Sequence, residues 1–275
     1  MNEHFQKNKP LAAIICGFPR GGTTLLSEVL RQHPNINAGF EGGLLLGNKP
    51  SDFEKIQPYS QMLQKSWKIE DKALQYICHA RDWLEAYRHL VECSSIITNK
   101  NCWIFDKTPK CMQFLPHILQ KIEAIPCLVI VRDPRAVLYS WSKRLSLNQK
   151  ISMEEWLDQY LESSCNKYMA FVNGYKKAIK KGYSHRILLV KYEDLCRNQA
   201  QEFEKIFDFI GLKFDSSYLR FNSNFKNVYG GGISQDHLNE YINYIPEKYC
   251  SKILKMTEKE STLVWDTANL NNRPL

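Results

Sequence analysis

The sequence predicts an α/β fold in which helices cover both faces of a parallel sheet, giving three layers. Short apolar runs that stop abruptly have the character of buried parallel strands, as in LAAIIC, which ends at Gly17. Segments with helical spacing separate these runs, and strands separated by helices form a parallel sheet. Ligands bind such sheets at the carboxyl ends of the strands, so chemistry is expected in the loops that follow them.

Each element follows from this pattern. Strands are predicted at 11–16, 103–105, 125–131 and 187–191, and helices at 23–32, 61–93, from about 136, 153–181, 199–210 and from 246. His33-Pro34 ends the first helix, and the Gly and Pro residues between 40 and 60 predict a long loop. We find no repeat or low-complexity linker, so a single domain over residues 1–275 is predicted, with its core at about 11–211.

Composition restricts the class of protein. The 275 residues are 44% hydrophobic and 24% charged, as in ordinary globular proteins. Lys and Arg exceed Asp and Glu by 37 − 29 = 8, which favours an anionic partner, yet no base-reading motif indicates nucleic acid. Nine Cys without a Cys-x-x-Cys pair argue against a zinc knuckle or a disulfide framework and predict reduced thiols. No apolar run approaches the ~20 residues that cross a bilayer, which predicts a soluble, cytoplasmic protein; a removed anchor or a larger parent chain stays open.

The loop after the first strand has the features of an anion site. In IICGFPRGGTTLL, Gly21 and Gly22 allow close approach to the backbone at a helix N-terminus, Thr23 and Thr24 add hydroxyl donors, and Arg20 adds a cation. The spacing is similar to the Walker motif, but Thr23 stands where that motif has its Lys, which argues against a kinase or nucleoside triphosphatase. The alternative is a tight turn in which a Thr caps the helix.

A second candidate anion site follows the third strand, in RDPRAVLYSW. Arg132 ends the strand and Ser140 lies two turns into the next helix, so both can reach one phosphate at the sheet edge. In the alternative, Asp133 caps that helix and Arg132 pairs with it or with another carboxylate. Arg135 is predicted to be a surface or structural cation.

Together these segments resemble a known family. PRGGTT is similar to the PR-[SG]-G-T-T signature of sulfotransferases that use 3′-phosphoadenosine 5′-phosphosulfate (PAPS), and RDPRAVLYS resembles their second signature. The resemblance runs from about Ala12 to Leu195 and is greater to the bacterial and tyrosylprotein-type branch. It implies a P-loop-NTPase-like sheet, PAPS as donor and adenosine 3′,5′-bisphosphate (PAP) as product, without a metal. It also implies that the donor is bound by Arg20, Gly21, Gly22, Thr23, Thr24, Arg132, Ser140 and Tyr192.

The resemblance also suggests the catalytic groups. Lys107 in FDKTPK is the candidate for stabilising the leaving phosphate oxygen, and Glu41 after the His-Pro segment is the candidate general base. The alternatives are an exposed Lys before a turn and a loop Glu that caps a helix. Among the histidines, His33 is interpreted as the end of the first helix, and His117 has a poor claim to be the base.

The C-terminal part is expected to cover the nucleotide site. The resemblance places such a cover over residues 212–275, where Lys226 supplies charge, although Gly230–Gly232 departs from the usual Arg/Lys-Gly pattern. Tyr192 in KYEDL either contacts the nucleotide or closes the sheet.

The acceptor class is a hydroxyl or phenol on a small molecule, glycan or peptide, and its identity is open, as is the oligomeric state. Trp67, Trp83 and Tyr87 either line its pocket or pack in the core. Two rival functions remain at this stage. One is a kinase-like phosphoryl transfer, and the other is non-catalytic polyanion binding.

Overall fold

A computed structural model describes residues 10–220 and 233–261, with side chains as far as residue 257. Its centre is a sheet of four parallel strands in the order β2-β1-β3-β4. The strands are β1 (Leu11–Gly17), β2 (Ile104–Lys107), β3 (Cys127–Val131) and β4 (Ile187–Lys191).

The described chain forms these α-helices around the sheet: α1 (Thr23–Leu30), α2 (Tyr59–Trp67), α3 (Asp71–Cys78), α4 (Trp83–Cys93), α5 (Leu115–Lys121), α6 (Pro134–Gln149), α7 (Met153–Lys180), α8 (Tyr192–Arg197), α9 (Gln199–Phe209) and α10 (Glu247–Ser261). Short 3₁₀ helices occupy Leu44–Leu46, Pro50–Lys55, Pro109–Phe114, Tyr183–Arg186, Ser216–Leu219 and Glu240–Asn243.

The strand order explains the three layers. The chain moves from β1 to β2 toward one edge and from β3 to β4 toward the other, so right-handed crossovers place their helices on opposite faces. Accordingly, α5 packs against α7 on one face, whereas the rings of His33 after α1 and Phe207 of α9 are 6.1 Å apart on the other. Both central strands are buried at every residue, as a sheet covered on two faces requires.

The register brings the strand ends to one edge of the sheet. Gly17 pairs with Ile130, and Val131 pairs with Lys191 in the next strand. On the other side of β1, Ile15 pairs with Lys107. The loops after all four strands therefore open on the same side, which confirms the parallel α/β fold predicted from the sequence.

Several predicted boundaries shift. The first helix ends at Leu30 instead of 32, the region 61–93 divides into three helices, and the loop at 40–60 contains two 3₁₀ helices. The second strand extends beyond the predicted 103–105 to Lys107, because Asp106 and Lys107 pair with β1 and are buried despite their charge. A strand predicted from apolar residues alone therefore ends too early when charged residues at its end have partners inside the protein.

The contact between α7 and the 3₁₀ helix Pro109–Phe114 is a tight backbone approach. A Cβ atom on Gly174 of α7 would lie 2.0 Å from the carbonyl oxygen of Met112. We expect Gly174→Ala to lower the free energy of unfolding by about 1–3 kcal/mol, because the two segments must separate to admit the methyl group. Urea denaturation measures this change, and unaltered stability would disprove the close approach. Asn166→Ala, at an exposed position on the same helix, is the control and should change stability by less than about 0.5 kcal/mol.

Candidate active site

The loop between β1 and α1 turns tightly beneath the sheet edge. The Gly21 N–H donates to the Phe18 carbonyl at 2.8 Å, and Gly22 has a φ of 101°, a left-handed conformation that suits glycine. A Cβ on Gly22 would lie 2.3 Å from Cδ2 of Tyr192, so this loop packs directly on the residue that follows β4. Gly22 caps α1 without a side-chain hydrogen bond, so the alternative in which a Thr caps the helix is wrong.

Arg132 joins the loops that follow β1 and β3. Its guanidinium donates to the carbonyl oxygens of Arg20 at 3.2 Å and His237 at 2.9 Å, and it lies 4.4 Å from the ring centroid of Tyr192. Within the described residues, no carboxylate forms an ion pair with it. The two cationic loops therefore face a shared space.

The alternative pairing of Arg132 with Asp133 is wrong. Asp133 accepts hydrogen bonds from the backbone N–H of Arg135, which caps α6, and from the Arg135 guanidinium at 2.8 Å. Arg135 is buried, so it is a structural cation and not a surface one. Asp133 thus holds Arg135 in place, and the guanidinium of Arg132 stays on the side of the first loop.

A hydrogen bond also connects the two predicted anion sites. Arg20 Nε donates to Ser140 Oγ at 3.0 Å. These residues belong to the two separate anion sites predicted from the sequence, yet their side chains meet. Both loops consequently form one continuous polar surface.

One cavity of about 1070 Å³ opens over this surface. Eight of the ten predicted site residues line it, namely Arg20, Gly22, Thr23, Thr24, Glu41, Arg132, Ser140 and Tyr192. Gly21 and Lys107 do not line it. Six Lys or Arg and two Glu contribute to the wall, so the cavity favours anions.

Lys107 does not line the cavity, but it contacts two residues that do, Glu41 and Phe40. Its ammonium lies 3.1 Å from Glu41 Oε1 and 3.5 Å from the ring centroid of Phe40. The Lys107 side chain is 0% exposed, whereas that of Glu41 is 17% exposed. Burial lowers the pKa of Lys107, and the charge of Glu41 opposes that shift. Neither alternative is correct, because Lys107 is not exposed and Glu41 pairs with it instead of capping a helix.

A buried hydrogen-bond network fixes the loop that carries Glu41. The Gly43 N–H donates to Thr108 Oγ1 at 2.7 Å, and that hydroxyl donates to Asp106 Oδ1 at 2.6 Å. The hydroxyl of Tyr87 donates to the other oxygen of Asp106. Sequence reasoning missed this network, although Asp106 and Thr108 flank Lys107 in the chain. Tyr87 was predicted either to line the acceptor pocket or to pack in the core. Packing in the core is correct for Tyr87 and also for the buried Trp67 and Trp83.

A second missed cluster also lines the cavity. Glu240 Oε1 accepts from the Tyr139 hydroxyl and from Lys143 Nζ, both at 2.8 Å. Burial raises the pKa of Glu240, but these hydrogen bonds, together with the charge of Lys143 and a hydrogen bond from His237, outweigh burial and lower the pKa overall. Burial, followed by the hydrogen bond to Glu240, raises the pKa of Tyr139 to about 12. Tyr139 and Lys143 are one helical turn apart beside Ser140, and this spacing was the signal that the sequence offered.

Other sequence expectations concern metals, membranes and the C-terminal cover. In residues 10–220 and 233–261, no group of three or more His, Cys, Asp or Glu is arranged to hold a metal ion. No helix of the same residues combines the length and apolar character needed to cross a membrane. Lys226 and Gly230–Gly232, expected over the nucleotide, lie outside the described residues. His117 is exposed and away from the cavity.

Comparison with protein families decides the class of this protein. The family model described as "Sulfotransferase family" matches residues 12–216, about three quarters of the chain. The chain belongs to the sulfotransferase family. Transfer of a sulfuryl group is accordingly its reaction, which confirms the resemblance seen in the two loops.

Solved structures share the fold of this sulfotransferase. The sulfotransferase domain of the Synechococcus PCC 7002 olefin synthase is 20% identical with a TM-score of 0.64, over 92% of this chain and 95% of that one. The corresponding domain from the curacin biosynthetic pathway is 17% identical with a TM-score of 0.56, over 90% and 98%. A mouse sulfotransferase complexed with PAP is 14% identical with a TM-score of 0.57, over 94% and 87%. No curated protein sequence gives a significant match.

The network under Glu41 gives a stability prediction for the sulfotransferase. Burial raises the pKa of Asp106, and the hydrogen bonds from Thr108 and Tyr87 oppose that rise. We expect Tyr87→Phe to raise this pKa further and to destabilise the protein by about 1–3 kcal/mol at pH 7, because the buried carboxylate loses a donor.

The sign of the pH dependence follows from linkage. A carboxyl group whose pKa is higher in the folded state costs stability as the pH rises above its unfolded pKa. The destabilisation by Tyr87→Phe should therefore shrink as the pH falls through the folded pKa of Asp106. Thermal unfolding from pH 4 to pH 8 measures it, with the exposed Tyr76→Phe as control. A pH-independent loss would contradict an ionised Asp106.

Proposed function

We propose that the protein transfers a sulfuryl group from PAPS to a hydroxyl or phenol acceptor, with Glu41 as the general base. The observation that carries the proposal is that Arg20, Arg132 and Glu41 line one cavity. A donor with a phosphosulfate at one end and a 3′-phosphate at the other matches two cationic loops at adjacent strand ends. The likeness to a fold solved with PAP supports the same donor.

In this proposal the first loop binds the phosphosulfate end. The backbone at Gly22 and the start of α1 direct N–H groups and the positive end of the helix dipole toward an anion, while the Gly21 N–H holds the turn through the Phe18 carbonyl. Thr23 and Thr24 add hydroxyl donors at the same helix end. Thr23 in place of the Walker Lys suits a donor without a triphosphate.

Arg132 and Ser140 bind the 3′-phosphate end. Arg132 is oriented by the carbonyl oxygens of Arg20 and His237, and its guanidinium is unpaired with any carboxylate of the described chain. A planar guanidinium donates two parallel hydrogen bonds to a phosphate, so this orientation favours strong binding. Tyr192 lines the cavity beneath Arg132 and contacts the nucleotide there.

Glu41 takes the proton of the acceptor hydroxyl. The reaction forms a bond between the acceptor oxygen and sulfur and breaks the bond between sulfur and the phosphate oxygen of the donor. As Glu41 gains the proton, it no longer neutralises Lys107 at 3.1 Å. The buried ammonium then stabilises the negative charge that develops on the leaving oxygen, and burial strengthens that effect.

The base is tested by Glu41→Gln. We expect kcat to fall by about 10²-fold or more, because proton removal is lost, while PAP binds with the affinity of the parent protein. Sulfuryl transfer from PAPS to a panel of phenols, alcohols and sugars, together with calorimetric PAP binding, measures both quantities. Glu92→Gln, at an exposed position on α4, is the matched control. If no acceptor is turned over and PAP does not bind to the parent protein, the proposed function is wrong.

The 3′-phosphate site is tested by Arg132→Met. We expect the Kd for PAP to rise about 10- to 100-fold, since a hydrogen bond to a charged group contributes about 1.5–3 kcal/mol. The effect should be much smaller for adenosine 5′-monophosphate, which lacks the 3′-phosphate. Arg88→Met, an exposed Arg of α4, should leave both affinities unchanged. Equal losses for the two nucleotides would assign Arg132 to another part of the ligand.

A further inference from the structure

Part of the cavity wall is apolar and is contributed by the loop before α2, by α2 itself and by α6 and α7. The apolar lining residues are Phe40, Tyr59, Met62, Leu147 and Phe171. We call this part the acceptor end, because Glu41 borders it.

Four further cations line the cavity beyond those assigned to the donor. Lys143 is paired with Glu240, and the other three are Lys110, Arg144 and Lys167. The carboxylates of the cavity are already engaged, Glu41 with Lys107 and Glu240 with Lys143. In the described part of the chain, no carboxylate lies within ion-pair distance of these three cations. Their charge is therefore available to a ligand.

Lys110 belongs to the acceptor end. Its ammonium lies 5.9 Å from the ring centroid of Tyr59. That ring packs on the loop of Glu41, since a Cβ on Gly43 would lie 2.5 Å from Tyr59 Cδ1. Burial, with a further contribution from the charge of Glu41, raises the pKa of the Tyr59 phenol to about 12. The ring of Tyr59 thus lies between the loop of Glu41 and the ammonium of Lys110.

Lys167 and Phe171 stand one turn apart on α7 and both line the cavity. Lys167 lies 4.9 Å from the ring centroid of Trp141, whose Nε1 donates to the Pro19 carbonyl at 2.9 Å. Lys167 therefore sits at the rim between the first loop and α7. Lys110 and Lys167 thus line the same cavity as the apolar residues of the acceptor end.

We propose that the acceptor is an anionic amphiphile, in which a hydroxyl group and a carboxylate stand at opposite ends of an apolar body. This inference rests on the proposed function, since Glu41 must face the hydroxyl. The apolar body lies against Tyr59, Met62 and Phe171, and the carboxylate pairs with Lys110. The donor does not use this charge, because Arg20 and Arg132 bind its two ends.

The test compares acceptors that differ only in charge. The phenols are 4-hydroxyphenylacetate, 4-ethylphenol and tyramine, and the alcohols are 8-hydroxyoctanoate and 1-octanol. We expect kcat/KM to be highest for the carboxylate, about fivefold above the neutral compound, as a partly exposed ion pair predicts, and lowest for the amine. The preference should weaken at high salt.

Variants of Lys110 assign the preference to that residue. Lys110→Gln should reduce the carboxylate-to-neutral ratio to about one, and Lys110→Glu should favour tyramine over the carboxylate. Lys72→Gln, an exposed Lys of α3 outside the cavity, is the matched control and should keep the parent ratio. The KM for PAPS, measured in parallel, separates an acceptor effect from a donor effect.

The outcomes separate the two proposals. Three results would overturn the inference and leave the proposed function standing. They are equal kcat/KM for neutral, cationic and carboxylate acceptors, an unchanged carboxylate-to-neutral ratio in Lys110→Gln, and a rise in the KM for PAPS that is equal for every acceptor. If PAP binds but none of these compounds is turned over, calorimetry on the PAP-loaded protein replaces the kinetics. Equal affinities, or no binding of the carboxylates, then overturn the inference. Absence of both PAP binding and turnover contradicts the proposed function itself.

Discussion

The guanidinium of Arg132 donates hydrogen bonds to the carbonyl oxygens of Arg20 and His237 and lies over the ring of Tyr192. These contacts tie together the loops after β1, β3 and β4 and the segment before α10. They also depend on Asp133 pairing with Arg135, because a free Asp133 would compete for Arg132. Arg132 has no carboxylate partner among the described residues, so it joins these segments while its charge remains available to the cavity.

At Glu41, the burial of Lys107 determines how the charges beside the cavity are arranged. Lys107 has no exposed surface, and removing an ammonium from water is costly unless a counter-charge compensates. Glu41 supplies that charge from a loop that precedes β2 by more than 60 residues. The loop in turn is fixed from below by Thr108, Asp106 and Tyr87. The position of the candidate base is therefore set by the core of the protein, which limits its movement relative to the sheet edge.

The sequence predicts the sheet well because its strands are apolar and short, and it predicts the first and third loops because their glycines and arginines are adjacent in the chain. Lys107 is a candidate site residue from the sequence, but its burial could not be predicted, because no local pattern shows that a charged residue at a strand end has a partner elsewhere. Glu240 and Tyr139 were missed for the same reason, since their hydrogen bond joins segments about 100 residues apart. Contacts between distant polar residues depend on the register of the sheet and on crossovers, which hydrophobic periodicity does not encode.

The close approach of Gly22 to the ring of Tyr192 has a consequence for evolution. Any side chain at position 22 would occupy the volume of that ring, so the two positions are mutually constrained. A relative that replaces the tyrosine with a small residue has room for a larger neighbour, whereas one that keeps the aromatic ring must keep glycine. We expect co-variation between these positions across related sequences, even though they follow separate strands of the sheet and are 170 residues apart.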